Sequence, residues 1–168
     1  AVHHGITSKV DPGPAIVGGI MIASAFRCIF NTTIYALVLW AFGAVTLESI
    51  PVLVVSAILA GLGFAAVMLL MVSYVKQDDG FFAIVGRFII TPMFMFSGTF
   101  YPLSNLPIYL QWIGWVSPVW HASDMGRALS YGLPVAPWMM TIHYAYLLLM
   151  LVIGVYFGGR KFAKRLAA

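Results

Sequence analysis

Four long apolar runs, each parted from the next by a short polar or proline-rich stretch, set the pattern of this chain. The first covers 15–46 and is interrupted by Arg27; the second is 51–75, the third 82–101 and the last 138–157. Each has at least the ~20 residues that a helix needs to cross a bilayer. A charged side chain at mid-bilayer costs about 2.5–3.5 kcal/mol. Arg27 is therefore expected near a membrane surface, with Cys28 to Thr46 as the main span and 15–27 as an earlier part of the same helix. Gly18, Gly19, Ala23 and Ala25 make that part narrow enough to pack closely on other helices. Ala57, Gly61 and Ala65 form a similar stripe in the second run, and Gly154 and Gly158 a GxxxG pair in the last. Pro92 inside the third run predicts a kink whose freed carbonyl is satisfied by its neighbours.

The stretch 96–132 behaves differently. It is apolar, yet Pro102, Pro107 and Pro118 divide it into pieces too short to span a bilayer. It reads as a pair of short helices that dip into one membrane face, with the hairpin proper over 102–132. Ser117 can cap the second of them, whose first residue is Pro118.

At 62% hydrophobic and 8% charged, against about 25% charged in a soluble domain, the chain is an integral membrane protein. The fold class is therefore all-α: four transmembrane helices plus an outward-facing re-entrant pair of short helices between the last two. The 168 residues make a single transmembrane domain. The net charge of +4 reflects topology, not nucleic-acid binding. With the basic tail Arg160–Arg165 in the cytoplasm, Lys9, Arg27, Lys76 and Arg87 fall on that side too, and only Arg127 on the other: eight basic residues against one. Both ends are then cytoplasmic in a multi-pass protein of the cytoplasmic membrane. Trp40, Trp112, Trp115, Trp120 and Trp138 all fall toward the outer face, as an aromatic belt does. The lone Cys28 excludes an intrachain disulfide and reads as a small packing residue. A beginning Ala-Val-His-His, without methionine or signal features, suggests a piece of a longer chain.

Candidate chemistry is sparse. There is no phosphate-binding loop, HExxH, CxxC or GxSxG, and none of the five acidic residues falls in an expected span, which argues against ion-coupled transport. No catalytic, cofactor or metal residue is expected, and the adjacent His3 and His4 read as a flexible terminus. The Asn31-Thr32-Thr33 sequon lies inside a span, where interhelical hydrogen bonding is the expected role. His143 reads as a hydrogen-bonded packing group. The one charged constellation is His121, Asp124 and Arg127, three residues apart on one helix face. An Asp124–Arg127 pair would lock that helix to its surroundings; a role in guiding a substrate is the other reading.

The order Phe96-Ser97-Gly98-Thr99-Phe100-Tyr101-Pro102, Leu106-Pro107, Ser117-Pro118, His121, Asp124, Arg127 and Gly132 resembles the membrane subunit of a type-2 ATP-binding-cassette exporter. More narrowly, it is similar to the permeases of the drug-resistance, nodulation-factor and polysaccharide export group. The four runs match that family's third to sixth helices, leaving its first two unmatched. The resemblance implies a permease without its own nucleotide site, moving a drug, lipid or glycan-type substrate outward. Its implied partners are a cytoplasmic ATPase carrying ATP and Mg, a second permease subunit (identical or not) and the lipid bilayer. The re-entrant hairpin would comprise Gly98, Pro102, Pro107, Pro118, His121, Asp124, Arg127 and Gly132. Lys9, Asp11, Arg27, Asp78 and Asp79 would lie on the cytoplasmic side as partner contacts. A reading from another class is a small four-helix membrane scaffold or assembly subunit without transport activity.

Overall fold

A computed structural model describes residues 12–75, 80–132 and 134–166. The expected contacts at Lys9, Asp11, Asp78 and Asp79 lie outside the described residues. The described chain is helical throughout its regular structure. In order come α1 (Pro12–Ala41), α2 (Ile50–Tyr74), α3 (Phe81–Met95), α4 (Ile108–Val116), α5 (Pro118–Tyr131) and α6, which starts as Pro137–Ile153. α6 then passes through a π-helical turn, Gly154–Gly158, and continues as Gly159–Leu166. Three helical stretches are long and apolar enough to cross a membrane: Gly13–Ala41, Leu47–Tyr74 and Pro137–Lys164. Phe81–Met95 is apolar but shorter.

α2 is the centre of the bundle, with α1, α5 and α6 packed around it. Its buried positions are Ser56, Gly63, Ala66, Leu69 and Ser73, and most are small. Between apolar helices in lipid, association rests on van der Waals contact, so small residues that admit a neighbour's backbone matter most. The tightest contact is with α6. A Cβ on Gly154 would stand 2.4 Å from the Ala66 carbonyl carbon, and one on Gly158 would stand 2.8 Å from the Leu70 Cα. Higher up, a Cβ on Gly63 would meet the Leu147 carbonyl oxygen at 3.0 Å. The small stripe of α2 serves α1 as well: Cys28 Sγ lies where a Gly61 Cβ would stand, at 2.2 Å.

Several expectations from the chain's pattern change here. α1 runs unbroken for 30 residues, about 45 Å at 1.5 Å each, and stops at Ala41 before a turn with Gly43 at φ 72°. Because Cys28 sits on Gly61, halfway along α2, Arg27 stands level with the middle of α2 rather than at a helix end, and it is exposed. Gly18 and Gly19 do not mediate close packing; a Cβ on either would meet nothing within 4 Å. Asn31 is exposed, and no side-chain hydrogen bond joins Asn31, Thr32 or Thr33 to another helix among the described residues. α3 ends at Met95, not near Tyr101. Pro92 has its effect one turn earlier as a π-helical turn, Gly86–Ile90, where the Thr91 hydroxyl donates to the Gly86 carbonyl at 2.9 Å. Proline lacks the N–H and its ring crowds the carbonyl four residues back, so the helix widens there instead of breaking.

The glycine contacts give a direct contrast. Gly154→Ala and Gly158→Ala should each destabilise the bundle by about 1–3 kcal/mol through overpacking, whereas Gly18→Ala should leave it unchanged. Thermal unfolding of the detergent-solubilised protein, followed by helical circular dichroism, measures the difference.

Candidate functional site

α4 and α5 fold back onto the bundle as two short helices in the order expected, and each proline or glycine has a local reason. Pro102 leads into a 3₁₀ turn, Leu103–Asn105. Pro107 stands just before α4, where its carbonyl accepts from the Leu110 and Gln111 amides. Pro118 is the first residue of α5, and Gly132 ends that helix in the left-handed region at φ 66°, the usual glycine stop. Gly114 lets α4 lie on the turn, since a Cβ there would meet the Leu103 side chain at 2.5 Å. Ser117 is at the cap position but caps nothing with its side chain; its hydroxyl donates to the Met93 carbonyl of α3 at 3.3 Å instead.

His121, Asp124 and Arg127 lie on α5 as expected, but Asp124 and Arg127 do not pair. Arg127 reaches away and donates through Nη2 to the carbonyl oxygen of Gly98. Gly98 has φ 73°, the left-handed conformation that glycine adopts without steric cost, and this turns its carbonyl toward α5. Asp124 faces α6, where its Oδ2 lies 3.1 Å from His143 Nε2. The other ring nitrogen of His143, Nδ1, is 2.8 Å from His121 Nδ1, and His121 Nε2 is 3.0 Å from the Trp115 carbonyl oxygen. His143, expected as a hydrogen-bonded packing group, is therefore the middle of the site. It is fully buried.

The proton inventory of this string follows from its last member. A carbonyl only accepts, so His121 Nε2–H donates to Trp115, and the Nδ1 of a neutral His121 must then accept. His143 Nδ1–H donates to it. One further proton lies between His143 Nε2 and Asp124. If it is on histidine, an imidazolium faces a carboxylate; if on aspartate, both are neutral. Either way the group carries no net charge, the condition for placing titratable side chains in an apolar bundle at moderate cost. Aromatic rings seal the string. Tyr146 stacks on His121 at 4.0 Å between centroids and 19° between planes, and its hydroxyl donates to the Val116 carbonyl. Trp120 meets His121 and His143 edge-on at 4.9 and 5.1 Å. Trp120 is thus buried core and not part of an exposed belt, while Trp40, Trp112, Trp115 and Trp138 are exposed. Beside the string, hydroxyls of Ser97, Thr99 and Ser123 form a second short chain between the α3 end and α5.

Two cavities flank Arg127 and Thr99. One, of about 520 Å³, lies among α1, α2 and α5 and is lined with hydroxyls from Thr32, Tyr35, Ser56 and Ser130. The other, of about 630 Å³, is bounded by Tyr101, Gln111, Trp115, Trp120 and Asp124. Among the described residues no group of three His, Cys, Asp or Glu side chains is arranged to hold a metal ion. The arrangement fixes two short helices to α3 and α6 by directional hydrogen bonds.

An all-α bundle with three membrane-length helices, and a pair of short helices pinned between the last two apolar segments, defines an integral membrane protein. Residues 4–131 match the family of ABC-2 type transporters, and the chain belongs to that family. The matched stretch takes in His121, Asp124 and Arg127 and stops before α6, so His143 lies outside it. Over 90 residues the chain is also 30% identical to "Nodulation protein J" of Rhizobium leguminosarum bv. viciae, covering 54% of this chain and 33% of that protein. The match thus spans about one third of that relative's length. No solved structure matches the chain.

The string gives a pH dependence with a definite sign. Burial lowers the pKa of His121 from 6.5 to about 4; the hydrogen bond to the Trp115 carbonyl opposes it, His143 adds less to the lowering, and Asp124 opposes it least. A histidine with a lowered folded-state pKa contributes stability that is full above about 6.5 and is lost as pH falls through about 4. Protonated, its Nδ1–H would point at the Nδ1–H of His143 and break the string. Tryptophan fluorescence of the solubilised protein should therefore report loosening around Trp120 between pH 6.5 and 4, and His121→Asn should remove that step.

Proposed function

We propose that this chain is part of the permease subunit of an ATP-driven exporter that moves a drug, lipid or glycan-type substrate out across the cytoplasmic membrane. The observation that carries this reading is membership of the ABC-2 type transporter family over residues 4–131; the similarity to "Nodulation protein J" supports it. ATP hydrolysis falls to a separate cytoplasmic ATPase, with ATP and Mg bound there. With Arg27 set aside at mid-helix, the remaining basic residues divide seven to one, which supports an orientation with the α6 end in the cytoplasm. α3 then acts as the third of four crossings, and α4 and α5 form a re-entrant cap on the outer side. The bonds from Arg127 to Gly98 and from His121 and Asp124 to His143 lock that cap to the helices beneath it.

A second permease subunit has a suitable surface on α1. Gly19, Ala23, Arg27, Asn31 and Tyr35 recur every four residues, and all are exposed. A lipid-facing arginine level with the middle of α2 would be costly, so this polar and small-residue stripe is assigned to contact with the partner subunit rather than to lipid.

The test uses the complete permease expressed with its neighbouring ATPase. An ATP-binding-cassette ATPase should co-purify, and inverted vesicles should accumulate substrate only with ATP. Deleting residues 102–131 should abolish transport while leaving the ATPase bound. Normal transport by the deletion sinks the role of the cap, and an eluate without ATPase favours the scaffold reading.

A further inference from the structure

The first turns of α1 and the last turns of α6 run side by side over the flank of α2 and enclose a groove of about 1050 Å³. Its walls are apolar: Val17 and Met21 from α1, Leu62 from α2, and Leu151 and Val155 from α6. The groove ends at two cations on one face of α6, Arg160 and Lys164, four residues apart. Both are exposed, and neither has a carboxylate partner among the described residues. Arg160 is held in place by Tyr156: its Nη1 donates to the phenol oxygen at 2.6 Å, and the guanidinium carbon lies 5.1 Å from the ring centroid. Its remaining N–H donors stay available.

The dimensions match one leaflet. From Leu151 to Arg160 is nine residues of helix, about 14 Å at 1.5 Å each, and half of a hydrocarbon core is about 15 Å. An apolar slot one leaflet deep that ends in two unpaired cations has the polarity profile of a phospholipid with an anionic headgroup: chains along the walls, phosphate at the mouth. Gly18 adds a second, independent mark. It lines the groove, and a Cβ built on it meets nothing within 4 Å, so the space beside it is not filled by any described part of this chain. Val152 and Tyr156 line the groove and are also about half exposed, which leaves it open to the side of the bundle where a lipid enters from the bilayer.

We propose that this groove is a binding site for an anionic phospholipid, with acyl chain between α1 and α6 and phosphate held by Arg160 and Lys164. A zwitterionic lipid fits the walls equally but brings a choline or ethanolamine cation to a mouth that is already positive. Selectivity therefore comes from the two side chains, and occupancy from the groove. This goes beyond the transport reading and does not need it, since it depends only on membrane residence.

The test is native mass spectrometry of the complete permease released from nanodiscs of phosphatidylcholine doped with phosphatidylglycerol. Wild type should retain phosphatidylglycerol in preference to phosphatidylcholine. Arg160→Gln with Lys164→Gln should lower that preference on the order of tenfold, as expected for two juxtamembrane cations, while leaving phosphatidylcholine adducts unchanged. Gly18→Trp, which grows into open space, should remove adducts of both lipids with the cations intact. Thermal unfolding of the three proteins, expected to coincide, separates a lost site from a lost fold. Equal phosphatidylglycerol retention by wild type and both variants overturns the proposal, because the lipid would then be merely annular. A Gly18→Cys variant in a Cys28→Ser background that crosslinks quantitatively to another polypeptide segment overturns it as well, because protein would then fill the groove.

Discussion

Two absent side chains, at Gly154 and Gly158, set the geometry from which the rest follows. They let α6 lie with its backbone against Ala66 and Leu70 of α2, at a separation that any Cβ would prevent. Such contact fixes rotation as well as distance. At about 100° per residue, His143 and Leu147 lie within about 20° of Gly154 around the helix, so the face chosen by the glycines also carries His143 inward. All four residues are buried. Once α6 is committed to that rotation, a titratable ring is committed to the interior.

The short helices answer that commitment. A lone imidazole buried among apolar helices would leave two nitrogens without partners, each at a cost of about 1–3 kcal/mol. His121 and Asp124 come from a segment that cannot cross the bilayer by itself, and they supply an acceptor and a proton-sharing carboxylate. The end of the string at the Trp115 carbonyl ties α5 to α4 as well, because Trp115 is in the last turn of α4. Arg127 performs the corresponding task on the other side by taking the Gly98 carbonyl that the left-handed turn exposes. One fourteen-residue helix is thus fastened to the turn after α3, to α4 and to α6 through side chains one or two helical turns apart.

What could be read from the chain was whatever is local. Blocks of apolar residues gave the helices, and Pro102, Pro107, Pro118 and Gly132 gave the breaks and the stop, because those residues restrict their own backbone. The face shared by His121, Asp124 and Arg127 was also legible, being a matter of spacing. Their partners were not. His143 is 22 residues from His121 and 19 from Asp124, and Gly98 is 29 from Arg127, separations that carry no periodic signal. A local Asp124–Arg127 pair was the natural reading only while those distant groups were out of view. The small residues show the same division. Gly18 and Gly154 look alike in sequence, yet one stands beside open space and the other against a carbonyl carbon, a difference made entirely by the helix opposite.

That difference leaves the bundle unevenly bound. α6 and α2 meet with no room between their backbones, whereas α3 faces α2 and α6 across a void of about 260 Å³ bordered by Phe64, Met68, Val85, Met93 and Met150. Parting α6 from α2 would forfeit dispersion contact along a whole close-packed face; parting α3 from α2 only enlarges a gap whose lining atoms already lack partners. The ties that hold α3 and the turn after it are polar and gathered near one end: Met93 to Ser117, Met95 to Tyr101, Gly98 to Arg127. The free energy that resists displacement of α3 is therefore concentrated where it joins the short helices, and the stiff element of the structure is the α2–α6 pair.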